Sequence, residues 1–482
     1  MIRTHVKEVF TFLFLFSTLM AIAQEAAVDA IVKREMNERH IPGLQIAVVR
    51  QGKIVLLKSY GYANLQDSVP VMRQSIFAIN SCTKSFTGVA VMQLVEEGKL
   101  DLSHPVSRYV DSLPAEWQTI TIKQLLTHVS GLPDLLRTFD AATHGLGKLG
   151  TDAAAWEKVK TMPMQFRTGE QFSYNQTNYA LLGMIIDKLS GKPFTQVFSE
   201  RQFNVVGMPS TRFGDSRDVI PRFAPTYVFK SSMDGILLPK PVLTNSYAEF
   251  SPRSRTASGL NSTAEDLAHW IIALQQGKLL GKAALKTLWQ PGVYNNGTPT
   301  QWALGWGITK QRAKYPAVGM SGGGRSAFLV YPEDDLAVIV LTNLAGGTPE
   351  EYLEELAGCY HAGIAMADPI TVLRTRLQKQ GYEKAAEVVA AEKKKDPTFR
   401  PDENELNDWG YRLMSSGQLA RALEIFKLNL QLYSQSWNAY DSYGEALLKN
   451  GQTDEAIKMY TRSVELNPEN AGGRKVLKQI AK

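Results

Sequence analysis

The chain has 482 residues, too many for one ordinary domain, and predicts roughly two to four. With 44% hydrophobic and 21% charged residues, it has the composition of a globular protein. The net charge of +6 is dispersed, and no basic stripe interleaved with aromatic residues points to nucleic acid. Neither the seven histidines nor Cys82 and Cys359 form a metal-binding motif, so we expect no metal and no cofactor. The cysteines are expected to be small buried residues, with a pairing between them left open.

The N-terminus has the three-part plan of a secretory signal peptide. Arg3, His5 and Lys7 precede an apolar run over 9–23, which ends in the cleavage site Ala21-Ile22-Ala23. The run is shorter than the ~20 residues that a membrane span needs. The sequence therefore predicts a signal peptide over 1–23 and a secreted or periplasmic mature chain without a later membrane span.

The elements that follow predict an α+β domain whose sheet joins its two ends. A helix over 25–40 is followed by a β-hairpin, LQIAVVR and IVLLKSYGYA. A second helix opens at Ser81, and its apolar face is formed by Phe86, Val89, Ala90 and Leu94. Helices and loops continue to about residue 275. Late strands are predicted in ALGWGITK (303–310), SAFLVYP (326–332) and LAVIVLTN (336–343).

From residue 369 onward, helix formers dominate and a repeat is visible. Four pairs of residues are each 34 positions apart: Gly410 and Gly444, Gly417 and Gly451, Ala422 and Ala456, Phe426 and Tyr460. This is the tetratricopeptide period, in which small residues lie where paired helices cross and aromatic residues fill the space between them. The sequence predicts an all-α repeat region over 369–482, with clear repeats over 404–470. Residues 381–397 resemble a worn extra repeat, and 474–482 would form a capping helix.

Two serine motifs compete for a catalytic function. Gly319-Met320-Ser321-Gly322-Gly323 fits the G-x-S-x-G nucleophile elbow, which requires a strand, a turn and then a helix. Here β-like runs follow the glycines, so we reject the elbow. Ser81 is followed three residues later by Lys84, a spacing that puts a nucleophile and a base on one helix face. Taken alone, the pair is more typical of a helix N-cap followed by a surface lysine.

Several other motifs, which occur in a fixed order along the chain, support the prediction that Ser81 is catalytic. The chain resembles the serine β-lactamase and penicillin-binding-protein superfamily, in its class C β-lactamase, DD-peptidase and esterase branch, over about 25–365. The resemblance is carried by FAINSCTKSFTG, LLTHVSGLPD, FSYNQTNYALLGMII, ASGLNSTAEDLAHW, ALGWGI and GMSGGGRSAFLVYPEDDLAVIVLTN. It implies a β-lactamase/transpeptidase-like fold, an antiparallel sheet flanked by helices with a helical subdomain. The hydrolase domain would span 24–368, before the repeats.

The resemblance also assigns the catalytic residues. Ser81 would be the acylated nucleophile, Lys84 its partner and Tyr174 a proton shuttle. Gln176 takes the place of the asparagine in the Tyr-x-Asn motif, retaining the amide with one more methylene. His128 is expected to be a buried histidine whose hydrogen bonds are satisfied.

The third motif of the resemblance is Met320-Ser321-Gly322, where the family has lysine or histidine first. Ser321 and Gly322 would border the substrate, and the Gly323 amide would join that of Ser81 in an oxyanion hole. Met320 removes the side chain that would hold a substrate carboxylate. Arg325 either compensates for that loss or is a surface charge.

The predicted function is a secreted serine hydrolase that forms a Ser81 acyl-enzyme. Its substrate would be a small ester or amide, or a cell-wall peptide, and the repeats would bind a protein or peptide partner. The alternative is an inactive ligand-binding module whose repeats recruit a protein partner. Gln176 and Met320 favour this alternative, whereas Ser81, Lys84 and Tyr174 oppose it.

Overall fold

The computed structural model describes residues 22–138, 151–233 and 236–480. These residues divide into two compact units, the first ending at Ala357 and the second beginning at Gly358. The predicted signal peptide lies outside the described residues except for its last two positions, and the predicted domain boundaries stay a prediction. Within the described ranges, no helix is long and apolar enough to cross a membrane.

The first unit is built on an antiparallel sheet. Its strands are β1 (Gly43–Arg50), β2 (Lys53–Asn64), β3 (Val69–Pro70), β4 (Phe77–Ala78), β5 (Arg212–Phe213), β6 (Tyr227–Met233), β7 (Ile236–Asn245), β8 (Leu260–Ser262), β9 (Ile308–Lys310), β10 (Ala317–Gly322), β11 (Ser326–Tyr331), β12 (Leu336–Thr342) and β13 (Leu344–Ala345). Among the described residues, the main sheet has the order β3-β2-β1-β12-β11-β10-β9, and two small sheets have the orders β13-β6-β7 and β4-β8-β5. β1 pairs with β12, from Leu44 opposite Thr342 to Arg50 opposite Leu336. The prediction that the sheet joins both ends of the domain is confirmed.

The central strands explain the apolar runs of the sequence. β11 and β12 are buried at every position, and β1 is buried at every position except its last. A strand that is buried on both faces needs no alternation of apolar and polar residues. This is why these segments read as continuous apolar runs.

Helices cover the sheet and build a helical region between the early and late strands. They are α1 (22–39), α2 (Thr83–Glu96), α3 (Ile122–Leu126), α4 (Asp152–Lys160), α5 (Gln176–Ser190), α6 (Phe194–Phe198), α7 (Asn204–Val206), α8 (Arg255–Ser258), α9 (Ala264–Gln275), α10 (Lys282–Leu288) and α11 (Leu353–Gly358). The predicted face of α2 is buried, with Phe86 stacked on Trp270 at 4.0 Å. Ser85 and Thr87, which flank this face on either side, are buried as well. α2 is therefore a central helix of the unit.

The predicted strand over 303–310 is too long, because only β9 (Ile308–Lys310) is a strand. Gly305 has a φ of 91°, and a side chain there would collide with the carbonyl oxygen of Lys84. Ser85 Oγ also donates to the Gly305 carbonyl, at 3.1 Å. Residues 303–307 thus leave the extended conformation to lie against α2.

The second unit is helical and contains the predicted repeat. Its helices are α12 (Ala362–Ala367), α13 (Pro369–Gln380), α14 (Ala385–Lys395), α15 (Glu403–Ser415), α16 (Leu419–Leu432), α17 (Trp437–Lys449), α18 (Thr453–Leu466) and α19 (Ala471–Ile480). A Cβ on Gly410 would lie 2.6 Å from the Phe426 ring, and one on Gly444 would lie 3.1 Å from the Tyr460 ring. Glycine and aromatic residue therefore meet at the same place in both helix pairs, as the repeat predicts.

Candidate active site

Ser81 lies in a 3₁₀ turn, Asn80–Cys82, that leads directly into α2. No side chain caps either helical segment, so the N-cap alternative for Ser81 is wrong. The surface-lysine alternative is wrong too, because Lys84 is fully buried. The amide of Ser81 belongs to a first helical turn, where an N–H group has no intrahelical acceptor and is available to a ligand.

The buried Lys84 ammonium is surrounded by oxygen acceptors. Its Nζ donates to Tyr174 Oη at 2.5 Å, to Gln176 Oε1 at 3.0 Å and to the Ala257 carbonyl at 3.0 Å. Burial lowers the pKa of Lys84 from its ordinary 10.5, while Tyr174 and then Asp134 oppose that shift. A lysine whose pKa is lowered loses its proton more readily, and only the neutral amine can act as a base.

The hydroxyl of Tyr174 connects Ser81 to Lys84. It donates to Ser81 Oγ at 2.6 Å and accepts from Lys84 Nζ at 2.5 Å. The ring packs on His128, with centroids 4.7 Å apart, and on Trp302, with centroids 5.4 Å apart. In the described structure the serine and the lysine are thus joined through the phenol, whereas the sequence predicted that they reach each other directly.

The N-terminus of α5 positions the tyrosine motif. Asn175 caps α5, with its Oδ1 accepting from the Thr177 amide at 2.8 Å. The next amide, of Gln176, donates to Asp134 Oδ1 at 3.2 Å. Burial raises the pKa of Asp134, and the Leu136 and Gln176 amides act against that rise. Since Gln176 Oε1 still reaches Lys84, the extra methylene does not remove the amide from the site.

His128 packs against the Tyr174 ring and contacts the backbone of the tyrosine motif. It is fully buried, and its Nδ1 accepts from the Asn175 amide at 3.1 Å. Burial first, and the charge of Lys84 second, lower the pKa of His128, so its imidazole is neutral. Burial was predicted correctly, but the prediction that its hydrogen bonds are satisfied is wrong for Nε2. That nitrogen has no hydrogen-bond partner among the described residues.

β10 brings the third motif alongside the Ser81 turn. A side chain on Gly322 would collide with the Ile79 carbonyl oxygen, so the strand and the turn are in close contact. Ser321 is half-buried, while Met320 is buried and its sulfur accepts from the Gly307 amide at 3.2 Å. A turn with Gly323 at a φ of 60° and then β11 follow β10. The expected absence of the helix that a nucleophile elbow needs is thereby confirmed.

Sequence reasoning missed several groups in the site. The Ala257 carbonyl carries no side-chain signal, because it acts through the backbone. Asn175 was detectable in principle, since an asparagine before an apolar helical run is a typical N-cap. Asp134 was not predicted either. The surface-charge alternative for Arg325 is wrong, because only 7% of this residue is exposed. In the described part of the chain, no three His, Cys, Asp or Glu residues are grouped so that they could hold a metal ion.

A Ser-x-x-Lys helix behind an antiparallel sheet, with a tyrosine between serine and lysine, defines the class of penicillin-binding and β-lactamase-like proteins. The Beta-lactamase family model matches residues 28–360, and the Tetratricopeptide repeat model matches 437–470. The chain belongs to the β-lactamase family and carries a tetratricopeptide repeat after that domain.

Known proteins resemble about two thirds of this chain. Protein flp of Staphylococcus aureus is 28% identical over 337 residues, covering 68% of this chain. The matched part spans 65% of the length of that relative. Penicillin-binding protein 4* of Bacillus subtilis is 28% identical over 324 residues, covering 66% of this chain and 71% of that protein.

Solved structures agree with the fold. The octameric penicillin-binding protein homologue from Pyrococcus abyssi has a TM-score of 0.57 at 27% identity, covering 70% of this chain and 77% of its own. The D-amino acid amidase from Ochrobactrum anthropi has a TM-score of 0.58 at 23% identity, covering 71% and 99%. At that identity the amidase is evidence of a common fold alone.

Proposed function

We propose that this chain is a serine hydrolase in which Ser81 forms an acyl-enzyme. The observation that carries the proposal is the unbroken contact from Ser81 Oγ through Tyr174 Oη to Lys84 Nζ, at 2.6 and 2.5 Å. A serine hydroxyl is a weak nucleophile without a base, and this contact provides a path for its proton. Family membership supports the same reading of Ser81, Lys84 and Tyr174.

The proton path works when Lys84 is neutral. The Ser81 hydroxyl then donates to the Tyr174 oxygen, while the Tyr174 hydroxyl donates to Lys84 Nζ. As Ser81 Oγ attacks a substrate carbonyl carbon, its proton passes to Tyr174 and that of Tyr174 passes to Lys84. The amides of Ser81 and Gly323 stabilise the oxyanion. Collapse expels the leaving group, which takes a proton back along the same path, and water later hydrolyses the acyl-enzyme.

The surroundings of the nucleophile favour uncharged substrates. Met320, on the strand beside Ser81, is buried and brings no charge to hold a carboxylate. The rings of Phe172 and Tyr174 are 40% and 36% exposed and offer apolar surface, and the Tyr174 hydroxyl contacts Ser81. We therefore propose a small ester or amide as substrate. Family membership supports a cell-wall peptide as the second candidate. Secretion after cleavage near Ala23 and a protein or peptide partner for the repeats belong to this proposal.

Labelling of the intact protein tests the proposal. A fluorophosphonate probe should add one adduct to the wild type, measured by intact mass and located on Ser81 by peptide mapping. Ser81→Ala should abolish the adduct, because the attacking oxygen is gone. Ser321→Ala removes the serine of the rejected elbow. This variant should still carry one adduct on Ser81, and only its labelling rate should change, because Ser321 is predicted to border the substrate.

The same experiment can contradict the proposal. A wild type that stays unlabelled, under conditions that label penicillin-binding proteins, would favour the inactive binding module. An adduct on Ser321 would place the nucleophile on β10. Side-by-side hydrolysis of p-nitrophenyl esters, nitrocefin and D-Ala-D-Ala peptides then separates the substrate classes.

A further inference from the structure

Arg325 carries a buried charge, and no carboxylate of the described residues forms an ion pair with it. Its only side-chain hydrogen bond with the described residues runs from Nη1 to Thr226 Oγ1, at 2.9 Å. The adjacent Nε is buried and has no hydrogen-bond partner in the described structure. Arg39 shows the usual arrangement, since it is paired with both Glu35 and Glu351. A buried charge without a partner costs stability, so it calls for a functional explanation.

The position of this guanidinium is next to the predicted oxyanion hole. A Cβ on Gly323 would lie 3.3 Å from Arg325 Nε and would collide with Asn80 Nδ2. The side chains of Arg325 and Asn80 therefore converge on Gly323 Cα. Asn80 directly precedes Ser81, and the amides of Ser81 and Gly323 are the two donors that the proposed mechanism requires. Arg325 Nε thus lies next to Gly323, and the side chain of Asn80 reaches the same glycine.

The environment keeps the positive charge effective. Burial lowers the pKa of Arg325 only to about 10, so the guanidinium stays protonated at neutral pH. Asn80 Oδ1 is also buried without a hydrogen-bond partner, so it does not form a hydrogen bond with the guanidinium. Solvent screens a buried charge much less than an exposed one. Negative charge that develops on a substrate oxygen nearby would be stabilised by this field.

We propose that Arg325 supplies the positive potential that stabilises the oxyanion held by the Ser81 and Gly323 amides. This inference rests on the proposed function and adds a residue that acts through the field at the Gly323 amide, without touching the substrate. Because β10 itself contributes the uncharged Met320, the charge comes from the turn that follows the strand.

Replacement of the charge tests this inference. Arg325→Gln should lower kcat/KM for a neutral p-nitrophenyl ester on the order of 10- to 100-fold. The affinity of the Arg325→Gln variant for a boronic acid, which forms a tetrahedral anion on the serine, should fall by a similar factor. Arg325→Lys, which keeps the charge, should recover most of the rate. Arg167→Gln is the matched control, because it removes the same charge from a side chain that is 89% exposed, and it should match the wild type.

Thermal stability separates a field effect from a structural one. Since Arg325 is an unpaired buried charge, Arg325→Gln should unfold at the same temperature as the wild type or higher while losing activity. A parallel loss of stability and activity, or a wild-type rate in a folded Arg325→Gln variant, would overturn the inference alone. A wild type that shows no Ser81 adduct would overturn the proposed function, and this inference with it.

Discussion

At the scale of single residues, the central feature of the site is the burial of one lysine, Lys84. Lys84 is fully buried, and its ammonium is held by the Tyr174 hydroxyl, the Gln176 side chain and the Ala257 carbonyl. Burial favours the neutral amine, whereas these dipoles and the nearby Asp134 favour the ammonium. The balance determines the pH at which Lys84 can accept a proton.

Lys84→Met should change both the rate of acylation and the pH dependence of the free energy of unfolding. Without the base, acylation should slow by about 10²- to 10⁴-fold. In the wild type, activity should fall as the pH is lowered through the folded-state pKa of Lys84, because the ammonium cannot accept a proton. In the window between that lowered pKa and the ordinary 10.5, the unfolded state binds more protons. The wild-type unfolding free energy should therefore rise with pH across this window relative to Lys84→Met.

Denaturant titrations from neutral pH to pH 10 measure the stability difference, and stopped-flow acylation measures the rate. Lys188→Met is a suitable control, since that side chain is 50% exposed and its ion pair with Asp111 lies on the surface. Equal pH slopes for the wild type and Lys84→Met would show that the folded state leaves the pKa of Lys84 at its ordinary value. A near-normal acylation rate in Lys84→Met would remove Lys84 from the mechanism.

At the scale of elements, the site depends on the close approach of β10 to the Ser81 turn. Gly322 faces the Ile79 carbonyl so closely that no side chain fits between them. Gly305 lies against the Lys84 carbonyl of α2 in the same way. Glycines thus allow one backbone segment to reach the Ser81 turn and another to reach the first turn of α2, which carries Lys84. Backbone amides can form an oxyanion hole only at such short range.

Gly322→Ala should therefore damage the site more than the fold. The new methyl group would push β10 away from the Ser81 turn, and a shift of about 1 Å can lower a rate on the order of 100-fold. The rate of fluorophosphonate labelling at Ser81 measures the effect. Gly324→Ala is the control in the same turn. It has to adopt a φ of 59°, but its nearest neighbour would be 3.4 Å away.

The two glycine variants should differ in the property that they lose: Gly322→Ala should lose labelling rate, and Gly324→Ala should lose stability. Gly324→Ala should lose roughly 1 kcal/mol of stability through backbone strain and keep its labelling rate within about threefold. If both variants label at the same rate, the contact between β10 and the Ser81 turn does not control the chemistry. Circular dichroism should show that both proteins are folded before their rates are compared.

At the scale of the whole molecule, the sequence predicted the features that follow from apolar patterns and from ordered motifs, namely the buried strands and the helical repeat. The buried strands β1, β11 and β12 appeared as apolar runs, and the glycine and aromatic pairs appeared as a 34-residue repeat. The segment 303–307 was mispredicted because its conformation follows from a contact between Gly305 and α2, which is remote in sequence. The burial of Lys84 and Arg325 could not be predicted from the sequence either, because it also follows from contacts between segments that are remote in sequence. A charged residue shows its surroundings only in the folded chain.

The second unit should be dispensable for acylation. Every proposed catalytic group lies between Ser81 and Arg325, and one apolar cluster of the first unit runs from Ala47 to Leu341. The helices of the repeat region have buried clusters of their own, from Val372 onward. A chain consisting of residues 24–368 should therefore fold and label at Ser81 at the full-length rate. Ser81→Ala in the same short chain controls for nonspecific labelling, and a folded but unlabelled short chain would show that the repeats take part in the chemistry.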